Sequence, residues 1–366
     1  RIGNWDEVSN LFDPGIAMQE AARCIQCPAA PCQVACPVHN DIPAALKLLE
    51  EGDILGGAAK FRETSTLPEM CGRLCPQESL CEGDCVVGFA IRPDGIKQAP
   101  VAIGRLESFI TDSQREQLGG FPVATPLPTT GRRAAIVGSG PAGLTVAEEL
   151  QLRGHQCTVY DMWPEPGGVL RYGIPNFKMK KELLEEKLTS LRALGVEFVS
   201  NTKIGTDVTL EELHDDLDHD VIFVGTGAGV GNLMRIEGEE LGNIYQATDF
   251  LVRGNLAPEE LPEGQRERPY IGKNVVVGGG DTSMDCVRTA IRLGAERVFC
   301  VYRRTENEML GRSEERTHAR EEGVKFLYLT TPLRFIGDKD GNVESVELIR
   351  MELSEPDDSG RRRPVP

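Results

Sequence analysis

Eight of the eleven cysteines in this 366-residue chain lie in two short groups near the N-terminus. The first group, "CIQCPAAPCQVACP", has the spacing C-x2-C-x4-C-x3-C-P, and the second, "CGRLCPQESLCEGDC", has C-x3-C-x5-C-x3-C. Thiolates in such quartets bind either tetrahedral zinc or iron–sulfur clusters. Four cysteines within 13 residues, ending in Cys-Pro, are typical of a ferredoxin run. The two groups therefore predict two [4Fe–4S] clusters, with two structural zinc sites as the alternative.

Spacing alone does not assign each cysteine to a cluster. In two-cluster ferredoxins the fourth cysteine of a run binds the other cluster, so Cys36 can partner the second group. The remaining cysteines, Cys157, Cys286 and Cys300, lie in strand-like or helical runs and are interpreted as buried apolar residues.

A glycine-rich turn, "GSGPAG", follows the strand-like run "AAIV" and precedes the helical pattern "LTVAEEL". In the form G-x-G-x-x-G, the first glycine makes a tight turn, the second admits a pyrophosphate to the main chain, and the third lets the helix pack on the strand. An acid at the end of the next strand accepts hydrogen bonds from ribose hydroxyls, which suits FAD or NAD. The residues expected to bind this dinucleotide are Gly138, Ser139, Gly140, Pro141, Ala142, Gly143 and Asp161.

The order of strand, glycine turn, helix and strand is repeated in "KNVVVGGGDTSMDCVRTAIRLGAERVFCVYRR". Ser283 takes the position of the third glycine, and the second strand ends in two arginines and no acid. Guanidinium groups there bind a 2′-phosphate that a carboxylate would repel, which favours NADP(H) over NAD(H). A solvated arginine pair at a strand end is the alternative. The residues expected at this site are Gly278, Gly279, Gly280, Asp281, Thr282, Arg303 and Arg304.

These motifs require a chain of several domains. Short helical patterns fill residues 1–117, which form the expected iron–sulfur domain, and the Pro-, Gly- and Thr-rich residues 118–133 form a linker. Residues 134–255 are the first part of an FAD-binding domain, and residues 256–366 form an NADP-binding domain. The predicted fold class is α+β multidomain: a helical [4Fe–4S] domain followed by two doubly wound, Rossmann-like domains.

Composition excludes several classes of partner. The formal net charge of −17 disfavours nucleic acid and anionic membranes, since like charges repel. No apolar run reaches the roughly 18 residues of a membrane span, so a cytoplasmic protein with reduced thiols is expected. The five histidines form no group with metal-ligand spacing, and we predict no catalytic acid or base because hydride transfer to a flavin requires none.

Several longer stretches resemble one known family. "CIQCPAAPCQVACPVHNDIP", "LPEMCGRLCPQESLCEGDC", "VGSGPAGL", "EPGGVLRYGIPNFKM", "VGTGAG", "GGGDTSMDCVRTAIRLGA" and "YRRTENEM" are similar to the small subunit of bacterial glutamate synthase. They are equally similar to the large subunit of the electron-bifurcating NADH-dependent ferredoxin:NADP oxidoreductase. The N-terminal part of dihydropyrimidine dehydrogenase is a further relative. The resemblance covers essentially the whole chain.

The resemblance implies two clusters in a helical domain, ahead of glutathione-reductase-like FAD and NADPH domains. By position it assigns Gly167, Gly168, Thr226 and Gly227 to the flavin site. It leaves Cys71 near a cluster without a bond to it. It assigns the first cluster to Cys24, Cys27, Cys32 and Cys85, and the second to Cys36, Cys75, Cys81 and Glu107.

Two departures from the family pattern are visible. Relatives usually have "MP" where this chain has "ENEMLG", so the nicotinamide-side loop is expected to differ in shape. Relatives also continue beyond "GRRRPVP" into an "AGD"-type segment that closes the flavin site. We therefore expect the printed residues to be a fragment of a longer protein, or the flavin site to be degraded.

The leading functional hypothesis is an electron-transfer subunit that connects NADP(H), FAD and two [4Fe–4S] clusters to a partner. The partner would be the glutamate synthase large subunit or, in the bifurcating alternative, a small subunit with a flavin and a [2Fe–2S] cluster; ferredoxin is a further candidate. A different class is a non-catalytic scaffold that keeps its clusters but has lost flavin turnover.

Overall fold

The computed structural model describes residues 2–9, 12–279, 282–356 and 362–366. Contacts divide the chain into two units. The N-terminal unit comprises Glu7–Arg171 and Phe177–Gly227, and the C-terminal unit comprises Arg1–Asp6, Tyr172–Asn176 and Ala228–Pro366. The domain limits expected from the sequence remain predictions.

The first part of the N-terminal unit is helical, as the sequence predicts. Asp13, Asp41 and Asp53 each cap a helix by accepting a hydrogen bond from a main-chain N–H at 2.8–3.3 Å, an arrangement that contributes about 1 kcal/mol per cap. Apolar faces that carry Leu46 and Phe61 meet in one core. The helices are α1 (Pro14–Ala21), α2 (Pro31–Ala35), α3 (Ile42–Glu50), α4 (Ile54–Arg62), α5 (Pro68–Leu74) and α6 (Ile103–Leu118).

A parallel sheet with the strand order β3-β2-β1-β4 forms the second part of this unit. Val137 at the end of β1 pairs with Val224 at the end of β4, so the loops that follow both strands meet at one edge. That edge is where nucleotides bind to open α/β sheets. The elements are β1 (Arg133–Val137), α7 (Pro141–Leu152), β2 (Gln156–Tyr160), α8 (Val169–Tyr172), α9 (Lys181–Leu194), β3 (Glu197–Val199), α10 (Leu210–Asp215) and β4 (Val221–Val224).

Phe121 anchors the connection between α6 and β1. Its ring is 8% exposed, and three cations approach its centroid: Arg62 at 5.5 Å, Arg115 at 5.4 Å and Lys187 at 5.3 Å. Cation–π contacts of this kind contribute about 0.5–2 kcal/mol each. Phe121 therefore contacts cations from α4 and α6 of the helical part and from α9, which packs beside the sheet.

The C-terminal unit contains a second parallel sheet, with the order β5-β6-β7. Cys286 and Cys300 are 2% and 0% exposed in its core, which agrees with their interpretation as buried apolar residues. Strands β8 and β9 form an antiparallel pair, as do β10 and β11. The elements are α11 (Ala247–Asn255), β5 (Asn274–Gly278), α12 (Ser283–Arg292), β6 (Arg297–Tyr302), α13 (Ser313–Glu321), β7 (Lys325–Tyr328), β8 (Thr330–Gly337), β9 (Val343–Arg350), β10 (Glu352–Leu353) and β11 (Pro364–Val365).

A buried ion-pair triad joins α12 to the end of α13 in this unit. Glu322 binds Arg288 at 3.0 Å and Arg292 at 2.8 Å, and all three side chains are 1% exposed. Burial by itself raises the pKa of the Glu322 carboxyl, but the hydrogen bonds from Arg292 and Arg288 outweigh burial and leave that pKa below its usual value.

Among the described residues, every helix is too short or too polar to cross a membrane.

Candidate functional site

Four thiols face one cavity in the helical part of the N-terminal unit. Cys24 and Cys27 come from the segment between α1 and α2, Cys32 lies in α2, and Cys85 lies eleven residues after the end of α5. Apolar side chains complete the lining: Ile25, Pro31, Ile42, Leu46, Val86, Val87, Val101 and Ile103. The cavity therefore unites three thiols of the first sequence group with one of the second.

Local backbone geometry brings these thiols together. Gln26 and Ala30 adopt left-handed φ angles of 52° and 38°, which turn the chain back on itself between the cysteines. The Gln26 amide donates hydrogen bonds to Cys24 Sγ at 3.5 Å and to the Pro43 carbonyl at 2.9 Å, so this turn is held against α3.

The electrostatics of the cavity suit a cationic occupant. Burial, followed by the nearby Cys24, Cys27 and Cys85 sulfurs, raises the pKa of the Cys32 thiol to about 12. Burial also raises the pKa of Cys24. Thiolates crowded in an apolar cavity are costly unless a metal centre lies between them, since a coordinated thiol is deprotonated by the metal's charge. The residues present therefore fit an iron–sulfur cluster held by four thiolates.

The other thiols and one carboxyl form a second group. Glu107, Cys81 and Cys36 are close enough to Cys75 to act on its thiol electrostatically, and Glu107 and Cys36 act on Cys81 in the same way. The Glu107 side chain is buried, and its pKa is raised well above the usual value by burial, then by Cys71 and Glu69. A buried carboxyl beside three thiols fits the role of a ligand to a metal centre, because the metal's charge offsets the cost of burying an ionised group.

Close packing of α5 against α6 creates this second group. A Cβ at Gly72 would lie 2.7 Å from the Gly104 carbonyl oxygen and 2.8 Å from the Ser108 nitrogen, so the two main chains are in contact there. The same contact sets Cys71 and Cys75 of the α5 region opposite Glu107 of α6.

Cys71 also lies in this second group. Its Sγ atom is 3.8 Å from Ser65 Oγ, and its hydrogen bond to Cys75 is the main cause of the lowered pKa of the Cys75 thiol. The structure thus brings all eight predicted ligands, and Cys71, into two groups.

Asn40 and Thr64 also reach the second group, and the sequence analysis did not select them. Asn40 Nδ2 donates a hydrogen bond to Glu107 Oε1 at 3.3 Å, and Thr64 Oγ1 donates one to Asn40 Oδ1 at 2.7 Å. The sequence could have pointed to Asn40, because it lies four residues after the predicted ligand Cys36. Nothing in the sequence around Thr64 indicates a role at this site.

The first glycine loop has the geometry of a dinucleotide cradle. Gly138 has a φ of +100°, and a Cβ there would lie 2.5 Å from the Gly225 carbonyl oxygen. A Cβ at Gly143 would lie 1.9 Å from the Gly138 carbonyl oxygen, whereas one at Gly140 would meet nothing within 4 Å. The open side at Gly140, before the N-terminus of α7, leaves room for a pyrophosphate. Pro141 and Ala142 are the first residues of α7.

Asp161 organises this loop. Its Oδ2 atom accepts a hydrogen bond from Ser139 N at 2.7 Å and another from Ser139 Oγ, and its Oδ1 atom accepts one from Trp163 N at 3.0 Å. Ser139 Oγ also accepts a hydrogen bond from Gly167 N at 2.8 Å. The predicted ribose acceptor thus links the loop after β1 to the segment with Gly167.

The other residues that the resemblance assigned to the flavin lie beside this loop. A Cβ at Gly168, where φ is +51°, would lie 2.7 Å from Gly140 Cα. Thr226 and Gly227 follow β4, whose end is paired with β1, and Thr226 Cα would lie 3.3 Å from a Cβ at Gly138.

The second glycine loop lies in the C-terminal unit and is described in part. A Cβ at Gly278 would meet nothing within 4 Å, whereas one at Gly279 would lie 2.7 Å from the Tyr302 ring. Thr282 precedes α12, and the predicted Gly280 and Asp281 lie outside the described residues. Arg303 is exposed after β6, and Arg304 Nε is buried without a hydrogen-bond partner among the described atoms. A guanidinium in that state fits an anionic ligand such as a phosphate.

Comparison with known proteins agrees with this arrangement. The family described as dihydropyrimidine dehydrogenase domain II, 4Fe-4S cluster, matches residues 1–118, and the pyridine nucleotide-disulphide oxidoreductase family matches residues 132–357. Fold and sites therefore define an NAD(P)H-dependent oxidoreductase subunit of the type that carries [4Fe–4S] clusters, FAD and NADP(H).

Individual relatives narrow the family further. The glutamate synthase [NADPH] small chain of Escherichia coli is 41% identical over 361 residues, which cover 98% of this chain and 74% of that one. The small chain from Halomonas elongata is 40% identical over 373 residues, covering 100% and 75%. The NADPH-Fe(3+) oxidoreductase subunit beta of Geobacter sulfurreducens is 38% identical over 341 residues, covering 92% and 48%. This chain belongs to the family of the glutamate synthase small chains.

The expected class of function is thereby confirmed: the chain is an electron-transfer oxidoreductase subunit, and its relatives are subunits of larger complexes.

Proposed function

We propose that the chain transfers electrons from NADP(H) through FAD and two [4Fe–4S] clusters to a glutamate synthase large subunit in the cytoplasm. The observation that supports this proposal best is the division of the thiols into two groups. One group takes three cysteines from the first sequence run and one from the second. This is the division that the family resemblance implies, and two sequential zinc sites would not produce it.

The first cluster would be held by Cys24, Cys27, Cys32 and Cys85. The apolar wall of their cavity excludes water from the thiolates. Two wall residues, Ile25 and Val86, are 62% and 36% exposed, so one side of the wall faces solvent. Electron exchange with a partner subunit requires a cofactor near the surface. We therefore propose that the partner subunit docks at the wall that carries Ile25 and Val86.

The second cluster would be held by Cys36, Cys75, Cys81 and Glu107, with Cys71 as a neighbour. A carboxylate is a harder ligand than a thiolate, so Glu107 would give this cluster a different charge distribution and reduction potential from those of the first.

FAD would bind at the first glycine loop. The N-terminal amides of α7 would hold its pyrophosphate, and Asp161 would keep Ser139 and the adjoining glycines in place while facing the ribose. When bound, FAD accepts a hydride from the nicotinamide and releases electrons singly to the clusters. The residues proposed to bind it are Gly138, Ser139, Gly140, Pro141, Ala142, Gly143, Asp161, Gly167, Gly168, Thr226 and Gly227.

NADP(H) would bind at the second glycine loop. The amides at the start of α12 would hold its pyrophosphate, and Arg303 and Arg304 would bind its 2′-phosphate. The residues proposed to bind it are Gly278, Gly279, Gly280, Asp281, Thr282, Arg303 and Arg304.

Three serine variants test the proposed grouping. In protein purified anaerobically, Cys24→Ser and Cys85→Ser should each remove the same cluster signal from the EPR spectrum, and Cys36→Ser should remove the other. Total iron should fall from about eight to about four atoms per chain in each variant. If Cys36→Ser and Cys24→Ser remove the same signal, the sequential grouping is correct and the proposal is wrong. Zinc in place of iron would also overturn it.

The partner is tested by purification of the native complex. A co-purifying large amidotransferase polypeptide supports the proposal, whereas a small flavoprotein with a [2Fe–2S] cluster supports the bifurcating alternative. Reduction of an artificial dye by NADPH and the isolated chain would exclude the non-catalytic scaffold, whereas no dye reduction despite full iron content would support it.

A further inference from the structure

A relay of two neutral side chains ends on the buried Glu107 carboxyl. Thr64 Oγ1 donates to Asn40 Oδ1 at 2.7 Å, and Asn40 Nδ2 donates to Glu107 Oε1 at 3.3 Å. Asn40 is 3% exposed and Glu107 is 6% exposed. Asn40 and Glu107 are therefore a buried polar pair, and loss of either partner is costly because it leaves the other unpaired. Thr64 lies at the exposed end of the relay.

The main chain holds Asn40 in this position. His39 has a left-handed φ of 53°, which is uncommon for a residue other than glycine, and its N–H donates to the Cys36 carbonyl at 2.9 Å. Asp41, the next residue, caps α3. One short turn therefore presents both the Cys36 thiol and the Asn40 amide to the second group.

We propose that Asn40, oriented by Thr64, is a positioning residue that sets the Glu107 carboxylate as a ligand of the second cluster. This inference rests on the ligand role of Glu107 in the proposed function. A neutral amide on Oε1 orients the carboxylate without neutralising its charge, and Oε2 would then be the oxygen that binds the metal. Hydrogen bonds to a ligand also withdraw electron density from it, which raises the potential of the metal centre.

Asn40→Ala and Thr64→Val test the relay. Loss of partners one step removed from a metal ligand typically lowers metal affinity by about 10–100-fold. In Asn40→Ala we therefore expect the second cluster to release its iron to a chelator about 10–100-fold faster. Its EPR signal should change shape and its midpoint potential should become more negative, while the first cluster is unaltered. Thr64→Val should shift the same quantities in the same direction by less.

Thr111→Val is the matched control. Thr111 is 0% exposed one turn from Glu107, and its hydroxyl donates only to the main-chain carbonyls of Glu107 and Ser108 among the described atoms. The Thr111→Val variant loses a threonine hydroxyl, as Thr64→Val does, but it removes no hydrogen bond in the chain that leads to the Glu107 carboxylate. If Asn40→Ala and Thr64→Val match Thr111→Val in chelation rate, EPR signal and potential, the inference is wrong.

Glu107→Ala separates the inference from the proposed function. If this variant leaves the second-cluster signal unchanged, the ligand assignment fails and the relay with it. If Glu107→Ala alters the signal while Asn40→Ala and Thr64→Val do not, the ligand assignment stands and only the relay is refuted. Thr64→Val changes little volume, so it remains informative if Asn40→Ala does not fold.

Discussion

Replacement of Gly72 by alanine should remove the second cluster while the protein still folds. The added Cβ would lie 2.7 Å from the Gly104 carbonyl oxygen and 2.8 Å from the Ser108 nitrogen. Ordinary contact of a carbon with such atoms is about 3.5 Å, so α5 must move away from α6 by roughly 0.8 Å. Functional constellations tolerate about 0.5 Å of displacement, so Cys75 and Glu107 should no longer hold a shared ligand in the required geometry.

Gly72→Ala should lower the free energy of unfolding only slightly, even though it removes the cluster. Overpacking typically destabilises by about 1–3 kcal/mol, and alanine in place of glycine within a helix returns about 1 kcal/mol. A net loss of roughly 0–2 kcal/mol leaves a domain of this size folded. Iron per chain should fall from about eight to about four atoms, with loss of the second-cluster EPR signal and retention of the first.

Two further variants make the Gly72→Ala result specific. Gly57→Ala places a Cβ in α4 with its nearest neighbour at 3.1 Å, and it should keep both clusters. Gly72→Ala combined with Ser108→Ala removes the hydroxyl that lies 2.4 Å from the new Cβ, yet both main-chain contacts remain, so the double variant should still lack the second cluster. Full iron content and an unchanged spectrum in Gly72→Ala would refute the packing argument.

Three other predictions concern the nucleotide sites and the C-terminal unit. Gly143→Ala, whose Cβ would lie 1.9 Å from the Gly138 carbonyl oxygen, should abolish flavin retention, measured as flavin released per chain, while both cluster signals persist. Arg304→Ala should raise the KM for NADPH by about 10-fold or more and leave the KM for NADH nearly unchanged, since a lost charge-assisted hydrogen bond costs roughly 1.5–3 kcal/mol; equal effects on both would argue against 2′-phosphate binding. Glu322→Gln should destabilise the C-terminal unit near pH 7 by up to about 3–5 kcal/mol, because it leaves two buried guanidinium groups without their carboxylate. Because the pKa of Glu322 is lowered in the folded chain, its contribution is present above the ordinary carboxyl pKa and is lost as the pH falls through the lowered value. The denaturation midpoints of the variant and the parent protein should therefore converge in acid; a constant difference across pH would contradict this.

The sequence predicted those features that depend on neighbours along the chain. Each glycine loop lies between a strand and a helix, so its role could be identified from local order, and β1 to α7 and β5 to α12 have the expected arrangement. The helical N-terminal part, the fold class and the nature of the cofactors followed from motifs in the same way. Spacing also predicted that the two cysteine groups serve metal centres, because so many thiols in so short a segment have few other uses in a reduced protein.

The spacing of the cysteines did not decide how the thiols divide between the two groups. The family resemblance implied one division, and the packing of the helices places the thiols in two groups in space. Cys85 faces the first cavity and Cys36 the second group because the helices between them fold back on one another. Asn40 and Thr64 are ordinary polar residues in sequence, and their relay to Glu107 exists because the start of α3, the end of α4 and the face of α6 converge there. Local motifs can therefore be identified from sequence because their geometry is set by adjacent residues. Groups assembled across long loops depend on which helix faces meet, and that choice is made by tertiary packing.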